Sequence, residues 1–243
     1  MRPSVNALWS FNGGYVDTAG FLALHGLFTS HVTGNFVTFG AALALGTTGV
    51  VAKLIALPTF CVVIVLSRTL AHRLSIPGWR ALESAVVLKI LLLSSAAAFA
   101  IAWGPFVNSD APTALVTGMT LVAAMAIQNA ANRVHLPAFP PSTIMTGTST
   151  QIMIDVADLL GGSLKPEARV VVLARLRKMC VAVACFALGC GVAALAFIRV
   201  EMKVFLLPPM IAVLSLLAIV RSEKETGGPI QGKPATSGRP TTR

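Results

Sequence analysis

Long apolar runs dominate this chain and decide what it can fold into. A helix rises about 1.5 Å per residue and the hydrocarbon core of a bilayer is about 30 Å thick, so six runs are long enough to cross or nearly cross it. Only 12% of the 243 residues are charged, and the mean hydropathy is +0.79. The sequence therefore predicts an all-α, polytopic transmembrane helix bundle. The expected spans are Gly14–Ser30, Val50–Thr69, Ser84–Trp103, Thr113–Asn132, Met179–Ile198 and Val204–Val220.

Two further segments, His31–Thr48 and Arg133–Leu160, are mildly apolar but short and interrupted. If both re-enter the membrane without crossing it, the bundle has six spans, with 15 of the 19 lysines and arginines on the cytoplasmic side and 3 outside. If both cross, there are eight spans and the best split is 12 to 6. Because basic residues concentrate in cytoplasmic loops, the first arrangement is favoured and both termini are expected in the cytoplasm. Eight spans stay open.

The net charge of +10 is explained by these loops, so no nucleic-acid partner is expected. The sequence holds no metal-spaced His/Cys cluster, Walker loop or nucleophile elbow. We therefore expect no cofactor, no bound metal and no enzymatic activity. The cysteines all lie in apolar segments and are expected to act as packing residues; they are Cys61, Cys180, Cys185 and Cys190.

The two interrupted segments resemble each other. Thr33-Gly34 matches Thr146-Gly147 at an offset of 113 residues, and each pair follows a span that carries polar residues. Each half thus has three spans and one broken hairpin, and because three is odd, the halves are expected to lie in opposite orientations as a 3+3 inverted repeat. The expected divisions are a cytoplasmic N-terminus (1–13), a first repeat (14–112), a second repeat (113–220) and a disordered cytoplasmic tail (221–243) rich in Gly, Pro, Ser and Thr.

The interrupted segments are expected to contain half-helices that start near the middle of the membrane. Gly34 and Gly147 suit the sharp bend before each half-helix, and Thr33 and Thr146 suit its N-cap. Two helix N-termini, each with unpaired N–H groups and a partial positive charge, would then face one low-dielectric site. Such a site favours an anion or a carboxylate.

The polar residues in and around the breaks are the candidate site. The predicted solute-binding residues are Asp17, Thr33, Gly34, Asn35, Gln128, Asn129, Thr146, Gly147 and Thr148. The predicted gating or coupling residues are Asp17, His25, His31 and Asp155. Simpler interpretations stay open. In these, the histidines and amides serve only packing, Asp155 is solvated, and Lys89 extends along its helix to the membrane surface.

In these residues the chain resembles the YoaK family of bacterial membrane proteins (domain of unknown function 1275). The resemblance is carried by Gly14-Tyr15-Val16-Asp17-Thr18-Ala19-Gly20-Phe21, Val32-Thr33-Gly34-Asn35, Gln128-Asn129 and Met145-Thr146-Gly147-Thr148. It implies a multi-span protein of the bacterial inner membrane and no particular activity. The family often carries an acidic residue inside its third span, where this chain has Lys89.

The combined expectation is a secondary transporter or permease for a small, anionic solute bound at the broken helices. Its expected partners are the lipid bilayer and that unidentified solute, and a homo-oligomer stays open. A non-transporting sensor or scaffold is the alternative, and it predicts that Asp17 is satisfied by its neighbours. A membrane-embedded enzyme is a third, and it requires His25 or His31 beside Asp17 at an accessible pocket.

Overall fold

The computed structural model describes residues 3–162 and 164–226, and over these residues the protein is all-α. Two 3-10 turns, Val32–Gly34 and Glu201–Leu206, precede the second and the last helix. The helices are α1 (Pro3–Ala23), α2 (Asn35–Leu45), α3 (Val50–Arg73), α4 (Gly78–Trp103), α5 (Pro112–His135), α6 (Met145–Leu160), α7 (Pro166–Val200) and α8 (Leu207–Thr226).

Four helical stretches in the described part of the chain are long and apolar enough to cross a membrane: Val50–Arg73, Arg80–Trp103, Pro112–His135 and Pro166–Ser222. The last has 57 residues and would extend roughly 85 Å as one helix. It instead turns between α7 and α8 at Glu201, where φ is 47°. These stretches are typical of a membrane protein, in agreement with the composition.

The first helix differs from the expected span. It begins at Pro3 and ends at Ala23, so residues 3–13, expected to lie outside the membrane domain, belong to the bundle. This stretch resembles a solvent-exposed segment in the sequence because it includes Asn6, Ser10 and Asn12. In the structure, however, these side chains are at most 4% exposed. Polar residues inside the bundle therefore resemble surface residues in the sequence.

The interrupted segments each contain one short helix. In the first, the 3-10 turn leads into α2; in the second, a non-helical leg with three prolines leads from α5 into α6. Proline lacks a backbone donor and disfavours helix, which explains the leg. Of the tail expected at 221–243, the first six residues continue α8, and residues 227–243 lie outside the described part.

Helix packing gives α1 and α5 central positions. α1 contacts α7, α8 and α5, whereas α5 contacts α3, α4 and α1. The short helix α2 packs on α3, α6 packs on α7, and α4 packs on α8. Both short helices therefore lie outside the central pair, each against the long helix that follows it.

Many large apolar side chains point outward, and several small ones are fully buried. Ala96, Ala124 and Ala193 are 0% exposed, whereas Leu195 and Ile198 are 68% and 74% exposed. A soluble protein places most of its large apolar residues in the core. So many outward-facing apolar side chains suit a protein surrounded by lipid, in which close helix packing depends on small residues.

α1 and α7 approach most closely at two glycines. A Cβ atom on Gly14 would overlap the carbonyl oxygen of Phe186, and one on Gly189 would overlap that of Phe11. These overlaps involve backbone atoms, which cannot move aside as a side chain can. Glycine is therefore required at both positions by the distance between the helices.

We expect Gly14→Ala and Gly189→Ala to lower the free energy of unfolding by about 1–3 kcal/mol, because each added methyl forces the helices apart. Gly191→Ala is the matched control, since a Cβ there meets nothing within 4 Å. Chemical denaturation of the detergent-solubilised protein measures the difference. Equal stability of Gly189→Ala and Gly191→Ala contradicts the assigned contact.

Candidate functional site

The first break is anchored to α1 by Asp17. After Ala23 the chain reverses through His25 and Gly26, whose φ angles are 47° and 93°. The returning peptide N–H groups of Thr29 and Ser30 then donate to Asp17 Oδ1 at 2.7 and 2.8 Å. The carboxylate is only 5% exposed, so it replaces the partners that this backbone lost when it left the helix.

A second side chain closes the same turn. Asn35, at the start of α2, accepts a hydrogen bond from the N–H of Phe28 and donates to its carbonyl oxygen, both at 2.8 Å. Asn35 is 1% exposed. The Asn35 side chain therefore joins the start of α2 to the turn before it, and both atoms of its amide are already hydrogen-bonded to the backbone.

The second break is anchored to α5 by two amide side chains. Gln128 Nε2 donates to Ser142 Oγ and to the carbonyl oxygen of Trp9, each at 3.0 Å. Thr143 Oγ1 donates to Asn129 Oδ1 at 2.5 Å. The pair Ser142-Thr143 follows Thr29-Ser30 by 113 residues (142 − 29), so corresponding positions of the two breaks are both held by polar side chains.

The two breaks meet at Gly13 of α1. Ser30 Oγ donates to the Gly13 carbonyl oxygen at 3.5 Å, and a Cβ on Gly13 would lie 2.7 Å from the carbonyl oxygen of Ser142. Asn6, Ser10, Gly13 and Asp17 share one side of α1, since residues four, seven and eleven positions apart on a helix lie nearly in line. We call these four residues the polar stripe of α1.

The expected helix starts are wrong in detail. Gly34 and Ile144 occupy the N-cap positions of α2 and α6, and neither makes a side-chain cap hydrogen bond. Thr33 lies within the 3-10 turn and Thr146 within the first turn of α6, so neither threonine is an N-cap. No threonine side chain caps α2 or α6. The chain just before each of these helices is instead held by hydrogen bonds to residues of α1 and α5.

The two glycines do not form the bends. Gly34 has right-handed helical angles and lies against the ring of Phe28. Gly147 is inside α6, and a Cβ there would meet nothing within 4 Å. The bend of the first break is at His25 and Gly26, because a helix that ends at Ala23 must reverse before residue 29 to reach Asp17.

The histidines lie in different surroundings. His25 bonds through Nε2 to the carbonyl oxygen of Phe106 at 2.7 Å, which ties the first turn to the loop after α4. The peptide N–H of His31 is 3.5 Å from Asp17 Oδ1. His31 also lines a cavity, but its hydrogen bond with Asp17 is through the peptide N–H and not through the imidazole that the enzyme hypothesis requires.

Asp155 is buried, not solvated as expected. It is 0% exposed and accepts from Arg175 Nε at 2.9 Å and Nη2 at 2.5 Å. Gln151 Nε2 donates to it at 2.8 Å. Since α6 packs on α7, this bidentate pair joins the two helices, and sequence spacing alone gave no sign of it.

The expectation for Lys89 is wrong. It is 1% exposed, so it does not extend to the membrane surface. Its ammonium donates to Gln128 Oε1 and lies 5.6 Å from the ring centroid of Trp9. Within residues 3–162 and 164–226, no carboxylate pairs with it. Gln128 therefore connects a buried cation on α4 to Ser142 in the second break.

Several buried polar atoms of α1 and α5 have no hydrogen-bond partner within the described residues. They are Asn6 Oδ1, Trp9 Nε1, Ser10 Oγ, both side-chain atoms of Asn12, and Asn132 Nδ2. Buried polar groups normally find partners. Their concentration on α1 and α5 marks the region as one that water or a solute can satisfy.

A cavity of about 750 Å³ lies between the second break and α7. Its wall includes the non-helical leg, the first turn of α6 with Gly147 and Thr148, and three cationic residues, Arg133, Arg175 and Lys178. Arg175 is committed to Asp155, but Arg133 and Lys178 form no ion pair within the described residues. The cavity is therefore positively charged.

A second cavity, of about 330 Å³, lies beside the first break. It is lined by Ser30, His31 and Thr33, by apolar residues of α3, and by Asn129 and Ile144. Ile144 also lines the larger cavity. The two cavities are thus neighbours, with Ile144 in the wall of both.

Of the predicted solute-binding residues, Thr33, Asn129, Gly147 and Thr148 line cavities, and of the predicted gating residues His31 does so. Asp17, Asn35 and Gln128 instead hold the breaks in place. Thr146 is exposed. Within the described residues, no group of three His, Cys, Asp or Glu side chains could hold a metal ion.

Comparison with known proteins gives one match. A family model described as a protein of unknown function, DUF1275, matches residues 5–219. No curated protein and no solved structure matches the chain. The match covers all the helices except the ends of α1 and α8.

We expect Asp17→Ala to lower the free energy of unfolding by about 2–5 kcal/mol, because two buried N–H groups lose their acceptor at about 1–3 kcal/mol each. Asp17→Asn keeps a carbonyl oxygen and should lose less than half as much. Asp158→Asn on the exposed side of α6 is the control. Chemical denaturation in detergent provides the measurement, and a stable Asp17→Ala protein contradicts the anchoring role.

For the second break we expect Gln128→Leu to destabilise the protein by about 1–3 kcal/mol, since it leaves the buried amino group of Lys89 without an acceptor. Adding Lys89→Met should recover part of the loss, because that buried polar group is then gone. Unfolding free energies of the two single variants and the double variant form a cycle. Strictly additive effects would show that Lys89 and Gln128 do not interact.

Proposed function

The chain belongs to the DUF1275 family, and we propose that it is an integral membrane permease for a small anionic solute. The observation that carries the proposal is the 750 Å³ cavity at the second break, with Arg133 and Lys178 in its wall. In the proposal, the solute binds there and passes along the breaks. The protein acts as a carrier, not as an enzyme, and needs no cofactor.

The chemistry of the cavity supports an anion. The first turn of α6 carries peptide N–H groups without a side-chain cap, and the N-terminus of a helix attracts negative charge. Gly147 leaves open space beside this turn, so a ligand can approach the backbone closely. Thr148 adds a hydroxyl group on the same wall.

The helix contacts support a repeat of two halves, and with three spans in each half the proposed repeat is inverted. In it, α1, α2, α3 and α4 correspond to α5, α6, α7 and α8. If each helix is replaced by its counterpart, the contact between α1 and α7 corresponds to the contact between α5 and α3. In the same way, the contact between α1 and α8 corresponds to the contact between α5 and α4. The contact between α2 and α3 likewise corresponds to the contact between α6 and α7. Each pair is present, as expected for two halves of one architecture.

The proposed topology has six spans, formed by α1, α3, α4, α5, α7 and α8, with α2 and α6 re-entering the membrane. α1 has 21 residues, about 31 Å, which is enough to cross. In the proposal the protein lies in a bacterial inner membrane, and the bias of basic residues toward one set of loops favours both termini in the cytoplasm. This places the larger cavity near the cytoplasmic surface.

Ile144 is the proposed barrier between the two cavities. It lines both and is adjacent to Thr143, which is held by Asn129. A solute leaving the larger cavity therefore meets the first break after passing one apolar side chain. In the proposal, a movement of α6 relative to α5 displaces Ile144.

The sensor or scaffold alternative is favoured by one observation. All the hydrogen bonds that fix Asp17 come from the neighbouring turn, so this carboxylate is explained without any solute. The enzyme alternative rests on His31 alone. Neither accounts for the unpaired cations in the larger cavity.

Purified protein in liposomes tests the proposal, with radiolabelled acetate, lactate, succinate and phosphate as probes. We expect at least one anion to enter faster than in protein-free liposomes. Gly147→Leu should abolish that uptake, because it fills open space in the cavity without a clash.

Gly40→Leu is the matched control, since Gly40 in α2 is exposed and also has nothing within 4 Å. Arg133→Gln should weaken uptake by raising the concentration needed for half-maximal rate. If no probe enters, or if Gly147→Leu transports as well as Gly40→Leu, the proposed site is wrong.

A further inference from the structure

We propose that a third cavity, between the first turns of α1 and the stretch of α7 from Ala174 to Val181, binds a single phospholipid with an anionic phosphate and a headgroup hydroxyl. The cavity holds about 430 Å³ and is lined by Asn6, Phe139, Arg177, Lys178 and Val181, among others. It adjoins the larger cavity, with Lys178 in both walls. Arg177 and Asn6 belong to the third cavity only.

Two cationic side chains of the cavity are placed to bind the lipid phosphate. Arg177 and Lys178 are neighbours at the edge of the cavity, and within the described residues neither forms an ion pair. The Lys178 ammonium lies 5.1 Å from the ring centroid of Phe139, so it is held at the cavity. A phosphate diester carries one negative charge and can accept hydrogen bonds from both residues.

The hydroxyl is matched by Asn6. This residue is 4% exposed, lies in the cavity wall, and leaves Oδ1 without a partner among the described residues. The amide group of Asn6 can accept a hydrogen bond from a hydroxyl through its oxygen and donate one through its nitrogen. A phosphate diester has no proton to donate; a headgroup hydroxyl does.

One side of α7 offers an apolar surface along which the acyl chain of the lipid can pack. Val181, Leu188 and Leu195 follow one another at seven-residue intervals and therefore lie on the same side of the helix. They are 41%, 59% and 68% exposed. From the first to the third is about 21 Å, longer than the roughly 15 Å of one leaflet. We call these residues the apolar stripe of α7.

The order of these features along α7 favours a lipid over a free anion. The basic residues come first, the cavity lies beside them, and the apolar stripe follows toward Val200. A diacyl lipid has the same order, from charged headgroup to hydrocarbon. Ethanolamine headgroups would bring an ammonium next to Arg177 and Lys178, so a glycerol headgroup fits better.

Native mass spectrometry tests this after the protein is extracted from nanodiscs of phosphatidylcholine mixed with either phosphatidylglycerol or phosphatidylethanolamine. We expect one phosphatidylglycerol retained per chain and no retained phosphatidylethanolamine. Arg177→Gln and Asn6→Leu should each reduce the retained fraction about tenfold. Arg169→Gln, an exposed arginine in the first turn of α7, is the control and should retain the lipid.

Three results would overturn the proposal: equal retention of both lipids, equal retention by Arg177→Gln and the control, or displacement of the lipid by soluble glycerol phosphate. Arg177 is exposed, so its variant is expected to fold even if Asn6→Leu does not. Because Gly147 is not in this cavity, Gly147→Leu should still retain the lipid. The outcome is thus independent of whether the protein transports any anion.

Discussion

Peptide groups that leave a helix inside an apolar bundle find no bulk water, so the protein itself must supply their hydrogen bonds. This constraint explains the centre of the structure. Asp17 receives the N–H groups of the first break, and Gln128 and Asn129 hold the hydroxyl groups of the second. The side chains that looked most like solute ligands are therefore the ones that allow the breaks to exist.

The same constraint accounts for the composition of α1. Because both breaks contact this helix near Gly13, its polar stripe faces inward and its small residues allow close approach to α7. The cost is a helix whose first turns resemble a soluble segment. The apolar surface is then supplied by the long helices around it, whose large side chains face outward.

Positively charged side chains without an ion-pair partner among the described residues cluster around the second break. Lys89 is buried beside an amide and an aromatic ring rather than a carboxylate. Arg133, Arg177 and Lys178 stand at the two cavities beside α7. In contrast, Asp155 and Arg175 neutralise each other where α6 joins α7. Unpaired positive charge is thus concentrated around the second break, where negatively charged ligands of either proposed kind would be attracted.

The all-α architecture and the apolar stretches followed from the sequence, because hydropathy over twenty residues is a local property that no contact can reverse. The second break also followed, from its prolines, whereas the first break begins inside the expected span Gly14–Ser30, because α1 already ends at Ala23. The roles of individual residues did not. Thr33 and Thr146 have the composition of N-caps, and Gly34 and Gly147 that of bends, but the backbone angles place these features elsewhere.

What only the tertiary structure decided is which polar residue meets which. Lys89 and Gln128 are 39 residues apart, and Asp155 and Arg175 are 20 apart; no periodicity within one helix links such pairs. The sequence by itself determined where the chain is apolar and that two segments are interrupted, since both depend on neighbouring residues. The hydrogen bonds that satisfy the interruptions depend on how distant helices pack, because each partner is set by the position of another helix.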